Sequence, residues 1–253
     1  MVTFVGAGPG AADLITVRGR NLLEKADIVI YAGSLVNAEH LKYTKQGCSI
    51  YNSANMTLEQ VIEVMEAGAA KGMNIVRLHT GDPSIYGAIR EQMDLLEERD
   101  IEYCVVPGVS SFCGAAAALK AEFTLPQVSQ TVILTRMEGR TPVPEREAIS
   151  KLAAHQASMA VFLSSSMLDR LSEELIAGGY RPDSPAAIVY KATWEDEKIV
   201  HTRVSELPAA ARENGIKKTA LIMVGAFLGG EYGRSKLYDP TFSHEFREGA
   251  KVE

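Results

Sequence analysis

Three glycine-rich turns, each directly after a short apolar run, constrain most strongly what this chain can fold into. The runs Val2–Val5, Asn74–His79 and Ile101–Val106 are predicted to be buried strands, and they end in GAGPGA, TGDP and PGVSS. Stretches with helical spacing, such as Asp13–Ala26 and Gly87–Arg99, lie between them. Strands that alternate with helices of about ten to fifteen residues indicate βαβ units and a largely parallel sheet. Such sheets bind ligands beyond the carboxyl ends of their strands, so the turns are the expected site.

The second half of the chain has shorter connections between its predicted strands, which indicates another α/β domain with a mixed sheet. Its first strand is predicted over Thr131–Thr135, and Ser166 is expected to cap a helix that runs to Ile176. Polar residues interrupt the pattern at Phe123–Gln130. We therefore expect an N-terminal α/β domain over residues 1–124 and a C-terminal one over residues 125–253.

Composition excludes several classes of protein. A chain of 253 residues and 27.4 kDa can bury a core without disulfides. The 26 Lys+Arg and 32 Asp+Glu residues give a net charge of −6, which argues against a nucleic-acid partner. The three cysteines lack metal-ligand spacing, so we expect a reducing, cytoplasmic compartment and no metal. We also expect no signal peptide and no membrane partner, because no apolar stretch reaches the length of a span.

The first turn, Gly6–Ala11, fits the G-x-G-x-x-G/A dinucleotide fingerprint. That fingerprint also needs an acidic residue about 20 positions later to hold the ribose. The nearest one, Asp27, comes before the second strand, and Pro9 removes an amide that would face a pyrophosphate. Two interpretations remain open: an NAD site, or a tight turn for close packing of helix against strand.

The two later turns offer polar groups to a small ligand. Gly81 permits close approach of the backbone, Asp82 brings a carboxylate, and Tyr86 supplies an aromatic wall. The alternative is an ordinary βα loop in which Asp82 forms the turn. Ser110 and Ser111 contact a ligand or simply cap the following helix. Because these turns end strands of one sheet, we expect them to meet at one edge and share a pocket.

A basic loop and a tryptophan segment complete the candidates. Arg136 and Arg140 are interpreted as a clamp for carboxylates, which arginine binds bidentately, or as part of a solvated loop. Trp194, beside Lys191 and Glu195, is either a wall for a flat ligand or a partly buried structural residue. The usual hydrolase, zinc and phosphate-loop motifs are absent from the sequence. The sequence therefore offers few candidates for a general acid or base. This favours a reaction whose cosubstrate is already activated when it binds.

Five segments, in order, resemble the tetrapyrrole (corrin/sirohaem) methyltransferase family. They are VGAGPGAADLITVRG at Val5–Gly19, DIVIYAGSLV at Asp27–Val36, HTGDPSIYGAIREQ at His79–Gln92, PGVSSF at Pro107–Phe112 and LTRMEGRTPVPE at Leu134–Glu145. Within that family, YAGSLV and the EGRTPVPE loop are similar to members that methylate precorrin-4 or cobalt-precorrin-4 at ring carbon 11 in cobalamin biosynthesis. Methylation of another ring carbon is the first alternative, and an NAD-dependent oxidoreductase is the second.

The resemblance implies two α/β domains with S-adenosylmethionine in the cleft between them, S-adenosylhomocysteine as the product, a tetrapyrrole substrate and a homodimer. Carried over by position, the expected cofactor contacts are Pro9, Gly81, Asp82, Ile85, Tyr86, Ser110, Ser111, Leu163, Ala192, Thr219 and Ala220. The substrate carboxylates are expected to bind Arg136, Arg140 and Lys191. Tyr86 and Glu195 are the candidates for proton transfer. Related members carry Tyr-Met-Gly where this chain has Leu163-Ser164-Ser165, so the contact at Leu163 departs from the family pattern.

Overall fold

The computed structural model describes residues Met1–Ala250, and they form two compact units with one sheet each. The first unit contains Met1–Ala115 together with Lys191–Glu197. The second contains Ala116–Tyr190 and the described residues from Lys198 to Ala250. The predicted fold class, two α/β domains, is confirmed. The domain boundary expected between residues 124 and 125 stays a prediction.

The sheet of the first unit is parallel throughout. Its strands are Val2–Gly6 (β1), Ile28–Tyr31 (β2), Ser49–Asn52 (β3), Ile75–His79 (β4) and Tyr103–Val106 (β5). They lie in the order β3-β2-β4-β1-β5, so β1, the strand before the first glycine turn, pairs with both β4 and β5. The helices are Val17–Lys25 (α1), Leu58–Ala69 (α2) and Arg90–Glu97 (α3), and Ser111–Leu119 (α4) begins in this unit and ends in the second.

Alternation along the strands places apolar residues on both faces of this sheet. In β1, Val2 and Phe4 pack in one buried cluster with α2, whereas Val5 packs in another with α1. A parallel sheet needs both faces covered, and the helices provide this cover. The arrangement leaves the carboxyl ends of β1, β4 and β5 at one edge, where the glycine turns begin.

Local signals in the sequence account for several helix ends. The side chain of Thr57 accepts a hydrogen bond from the amide of Gln60, and Gln60 accepts one from Thr57, so α2 begins with a capping box. Gly72 adopts a φ of 68° just after α2, where glycine avoids the cost of a left-handed backbone. The helix predicted from Asp13 starts later, because the side chain of Thr16 caps α1.

The sequence analysis missed one strand and predicted one helix cap wrongly. Strand β3 was not predicted, because all four of its residues are exposed at the edge of the sheet and show no apolar alternation. Ser166 does not cap the next helix, which spans Leu168–Ala177 and has Met167 at its N-cap without a side-chain hydrogen bond. The apolar face of that helix, with Leu171 and Leu175 buried, provides the packing that stabilises it.

The second unit is built on a mixed sheet. Its strands are Val132–Arg136 (β6), Ser158–Phe162 (β7), Pro185–Tyr190 (β8), Lys198–Arg203 (β9) and Ala220–Val224 (β10). They lie in the order β6-β7-β10-β8-β9, and only β6 and β7 run parallel. Its helices are Ile149–Ala153 (α5), Leu168–Ala177 (α6) and Leu207–Glu213 (α7). Within residues 1–250, no helix has the length and apolar character needed to cross a membrane.

Candidate functional site

Glycines bring three strand ends of the first unit into backbone contact. A Cβ on Gly6 would lie 2.6 Å from the Cα of Gly108 and 2.6 Å from the carbonyl oxygen of Gly81. A Cβ on Gly108 would lie only 2.2 Å from that same oxygen. Gly8 and Gly81 exchange two backbone hydrogen bonds, of 3.2 and 2.8 Å. The turns after β1, β4 and β5 therefore meet at one edge of the sheet.

We call this edge the strand-end rim and define it by four segments of the first unit: Gly6–Ala11, His79–Gly87, Pro107–Ser111 and Lys191–Glu197. The last segment follows β8 in sequence, yet it packs on the first turn. The ring of Trp194 fills the space beside Gly10, where a Cβ would lie 2.1 Å from the indole Cδ1.

Asp82 joins two of these segments. One carboxylate oxygen accepts a 2.8 Å hydrogen bond from the amide of Gly108, and the other accepts hydrogen bonds from the amide and hydroxyl of Ser84. Partial burial by itself raises the pKa of Asp82, but these hydrogen bonds outweigh it and hold the pKa below its usual value. The rim therefore carries a fixed negative charge.

The loop after Asp82 has an unusual backbone. Tyr86 and Ala88 have φ values of 55° and 48°, in the left-handed region. Such conformations cost about 1–3 kcal/mol each and concentrate at ligand sites. Gly87 separates them, and a Cβ there would lie 2.1 Å from the carbonyl oxygen of Pro83. This loop leaves Ile85 partly buried and the Tyr86 side chain exposed.

Two basic side chains of β4 are buried inside the first unit. Arg77 donates to the side chain of Gln92 (3.1 Å) and to the carbonyl of Ile30 (3.3 Å), and burial lowers its pKa to about 10. Burial and the nearby Arg77 lower the pKa of His79 to about 3, so its imidazole is neutral at physiological pH. The buried Nε2 of His79 has no hydrogen-bond partner among the described residues. Gln92 in turn donates to the carbonyl of Ala88, which ties the Tyr86 loop to β4.

Protein groups bind the five carbonyls of residues 7–11 in the first turn. The donors are His40 Nε2 for Ala7 (2.8 Å), Gly81 N for Gly8 (2.8 Å), Trp194 Nε1 for Pro9 (3.2 Å), Asn37 Nδ2 for Gly10 (3.2 Å) and Leu14 N for Ala11 (3.1 Å). The amides of Ala7, Gly8 and Ala11 already donate to His79, Gly81 and Thr193. Three amides of the turn are therefore already bonded to protein groups and do not face a pyrophosphate.

The segment Lys191–Glu197 has its own internal bonds. The ammonium of Lys191 lies 2.6 Å from Asp196 and 5.1 Å from the centre of the Trp194 ring. Lys191 and Thr193 have φ values of 47° and 69°. Trp194 packs on protein backbone and donates to it, which agrees with its structural interpretation. Ala192 is buried and Glu195 is exposed.

The candidate residues of the second unit lie at one edge of its own sheet, because β6 and β7 run parallel and β10 runs antiparallel to β7. Leu163 follows β7, is 60% exposed and has a φ of 52°. Thr219, with a φ of 57°, precedes Ala220 at the start of β10. The hydroxyl of Ser164 accepts a 2.9 Å hydrogen bond from the amide of Met137 and so fixes the turn after β7.

Arg136 and Arg140 lie in the loop that leaves β6 at this same edge. The guanidinium of Arg136 donates to the carbonyls of Met137 and Thr141 at 3.2 Å and to that of Pro142 at 2.8 Å. Arg136 therefore shapes the loop, whereas the side chain of Arg140 is exposed on it.

The sequence reasoning missed the residues that support the first turn, namely Asn37, His40 and Thr193. Asn37 directly follows the YAGSLV motif, and that motif is the only feature of the sequence analysis that points to this segment. The contacts themselves join residues up to 182 positions apart, so no local pattern reveals them.

Comparisons with known proteins agree on one family. The model of the Tetrapyrrole (Corrin/Porphyrin) Methylases matches residues 1–208. The chain is 55% identical, over 99% of its length and 97% of the relative, to a cobalt-precorrin-4 C(11)-methyltransferase from Methanocaldococcus jannaschii. It is 42% identical, over 97% of its length and 98% of the relative, to a precorrin-4 C(11)-methyltransferase from a Sinorhizobium species. A solved structure of a cobalt precorrin-4 methyltransferase, a cobalamin biosynthetic enzyme, is 48% identical to this chain and superposes on it with a TM-score of 0.89. The match covers 90% of this chain and 96% of the chain in that structure.

Proposed function

Because the chain belongs to the tetrapyrrole (corrin/porphyrin) methylase family, we propose that it transfers a methyl group from S-adenosylmethionine to ring carbon 11 of cobalt-precorrin-4 or precorrin-4, a step of cobalamin biosynthesis. The relative named for cobalt-precorrin-4 is 55% identical and the one named for precorrin-4 is 42% identical. This difference favours the cobalt-containing substrate.

The charge of the strand-end rim supports a cationic cofactor. Its four segments contain one lysine, Lys191, and four carboxylates, those of Asp82, Glu195, Asp196 and Glu197. His79 is neutral at physiological pH, and Lys191 is paired with Asp196. The fixed carboxylate of Asp82 is the observation on which the proposal chiefly rests, because such a rim attracts a positive ligand and repels a pyrophosphate.

The residues of the rim fit an S-adenosyl group. S-adenosylmethionine, when bound, supplies an activated methyl group on a positively charged sulfur. Gly81, whose added Cβ would lie 3.3 Å from the amide nitrogen of Ser111, leaves bare backbone beside Asp82. We propose that the first unit holds the group with Pro9, Gly81, Asp82, Ile85, Tyr86, Ser110, Ser111 and Ala192. Contacts from Leu163, Thr219 and Ala220 of the second unit are part of the same proposal.

Substrate binding is assigned to basic side chains. Arg136 holds the loop after β6 by three carbonyls, and this fixed loop presents the exposed guanidinium of Arg140. Arginine binds the peripheral carboxylates of a tetrapyrrole well because its planar fork matches a carboxylate. Lys191 is the third proposed group. The side chains of Tyr86 and Glu195 are exposed and remain the proposed proton-transfer groups.

The enzyme needs little further chemistry of its own. An electron-rich ring carbon would attack the methyl carbon in line as the carbon–sulfur bond breaks and S-adenosylhomocysteine leaves, so the chain must hold both reactants in near-attack geometry and exclude water. A cytoplasmic homodimer belongs to the proposal, because the family resemblance implies a pair of chains and all three cysteines are free thiols. Light scattering that gives twice the chain mass of 27.4 kDa would support it, and the monomer mass would contradict it.

Titration calorimetry tests the cofactor assignment. S-adenosylhomocysteine should bind the purified protein in about the micromolar range, as enzymes commonly bind their substrates. NAD, titrated in parallel, should give no heat, because three amides of the first turn already bond to protein groups and the rim repels the negative charge of a pyrophosphate. Binding of NAD without binding of S-adenosylhomocysteine would contradict the methyltransferase proposal and favour an oxidoreductase.

A further inference from the structure

Two side chains outside the strand-end rim hold carbonyls of its first turn. The side-chain amide of Asn37 donates to the carbonyl of Gly10 at 3.2 Å. Nε2 of His40 lies 2.8 Å from the carbonyl oxygen of Ala7 and donates to it, because a carbonyl only accepts. His40 is 1% exposed, so water does not compete for this hydrogen bond.

Asn37 and His40 are themselves fixed by one another and by the short helix Ala38–Tyr43 that follows Asn37. The side-chain oxygen of Asn37 accepts a 3.0 Å hydrogen bond from the amide of Glu39. The backbone carbonyl of Asn37 lies 2.8 Å from Nδ1 of His40, and because this carbonyl also only accepts, Nδ1 donates to it when the ring carries a proton on both nitrogens. The two donors therefore reach the turn from a rigid support and lose little side-chain entropy when they bind it.

The two carbonyls that they bind lie on either side of Pro9. Ala7 comes two residues before it and Gly10 directly after it, while Trp194 binds the carbonyl of Pro9 itself. A Cβ on Gly114 would lie 2.7 Å from the Cβ of Pro9, so the proline ring occupies space that only a glycine at position 114 leaves free. Loss of either donor would leave one carbonyl of the turn without its hydrogen bond and loosen the backbone on that side of Pro9.

We propose that Asn37 and His40 are positioning residues for the cofactor: without touching it, they hold Ala7–Gly10 in the conformation in which Pro9 receives the S-adenosyl group. This inference rests on the proposed function, because it takes the S-adenosyl group as the ligand of the rim. It assigns a role to the segment that begins with YAGSLV, which the proposed function leaves without one.

Matched substitutions separate positioning from general stability. Glutamine at position 40 places its amide nitrogen near the position of Nε2, whereas asparagine places it near Nδ1. His40→Gln therefore keeps a donor for Ala7, and His40→Asn keeps only the contact within the supporting segment. Asn37→Asp keeps the acceptor for Glu39 but turns an oxygen toward the carbonyl of Gly10.

The measurement is the Kd of S-adenosylhomocysteine by calorimetry, together with steady-state kinetics and the Tm of each variant. We expect His40→Gln to bind within about twofold of the wild type, and His40→Asn and Asn37→Asp to bind about fivefold or more weakly, as the loss of one hydrogen bond predicts. The KM for S-adenosylmethionine should rise while the KM for the tetrapyrrole stays unchanged. If the two residues had only a structural role, their loss would lower the Tm without raising the KM for S-adenosylmethionine relative to that for the tetrapyrrole.

The outcomes distinguish this inference from the proposed function. If the wild type binds S-adenosylhomocysteine and all three variants bind it equally well, positioning is refuted and the methyltransferase assignment stands. If the wild type does not bind it, the proposed function fails and the inference fails with it. Should His40→Asn not fold, Asn37→Asp decides the matter, because it keeps the local hydrogen bond to Glu39.

Discussion

At the scale of single residues, Asp82 is the charge around which the candidate site is built. Three hydrogen bonds from Ser84 and Gly108 keep it ionised at the strand-end rim. Asp82→Asn removes this charge and keeps the size of the side chain, although its single oxygen can no longer accept from both Ser84 and Gly108. We predict that the affinity for S-adenosylhomocysteine falls about tenfold or more, the usual effect of losing a charge-assisted hydrogen bond. Titration calorimetry measures it.

A matched control exists elsewhere in the chain. Asp239 accepts hydrogen bonds from the amide and hydroxyl of Thr241, the same local turn that Asp82 makes with Ser84. Asp239→Asn should weaken its turn and leave the affinity for S-adenosylhomocysteine unchanged. Equal affinities of the two variants would show that Asp82 is not a cofactor contact.

Gly81 allows a test of the bare backbone at the rim. Gly81 and Gly72 have φ values of 59° and 68°, so alanine at either position should cost about 1 kcal/mol of unfolding free energy. Only at Gly81 does the new Cβ meet a neighbour, the amide nitrogen of Ser111 at 3.3 Å. We predict that urea unfolding shows a loss for Gly72→Ala and a loss at least as large for Gly81→Ala, but that calorimetry shows weaker S-adenosylhomocysteine binding only for Gly81→Ala. Unchanged affinity in Gly81→Ala would contradict the proposed contact.

At the scale of elements, β4 carries a buried histidine whose protonation opposes folding. The unfolded chain binds a proton at His79 near pH 6.5, whereas the folded chain, with a pKa of about 3, does not until much lower pH. The free energy of unfolding therefore falls as the pH drops below about 6.5, by up to about 1.4 kcal/mol per pH unit from this residue.

His79→Phe removes the titrating group and the unpartnered Nε2 while it keeps an aromatic ring near Phe4. Between pH 7 and pH 5, we predict that this variant gains about 2 kcal/mol of unfolding free energy relative to the wild type. Urea unfolding at both pH values measures the change. Parallel losses of stability in the two proteins would show that His79 is not responsible.

Elements whose stability arises locally could be predicted from the sequence. The capping box of Thr57 and the glycine turns after β1, β4 and β5 are visible as residue patterns. Strand β3 is not, because it gains its stability from pairing with β2 at an exposed edge. The residues of the candidate site differ in the same way. Gly81 and Asp82 belong to a motif that is visible in the sequence, whereas Asn37 and His40 act through contacts that form only after the chain has folded.

At the scale of the whole molecule, we expect the second unit to supply the most accessible of the three proposed carboxylate-binding side chains, that of Arg140. The fixed carboxylate of the first unit suits the cofactor, and the exposed Arg140 of the second suits the substrate carboxylates. Arg140→Ala should raise the KM for the tetrapyrrole about tenfold and leave the Kd of S-adenosylhomocysteine unchanged, since one charged hydrogen bond is lost. Arg146→Ala, which removes an exposed arginine paired with Glu147, is the control. A tetrapyrrole bound as tightly by Arg140→Ala as by the wild type would refute the clamp.

The position of methyl transfer tests the proposed function most directly. The purified protein would be incubated with cobalt-precorrin-4, or in parallel with precorrin-4, and S-adenosylmethionine carrying a ¹³C-labelled methyl group. Carbon NMR then identifies the labelled carbon in the product. We predict one new methyl group, on ring carbon 11, and an equal amount of S-adenosylhomocysteine. A label on another ring carbon, or none with either substrate, would contradict the proposed function.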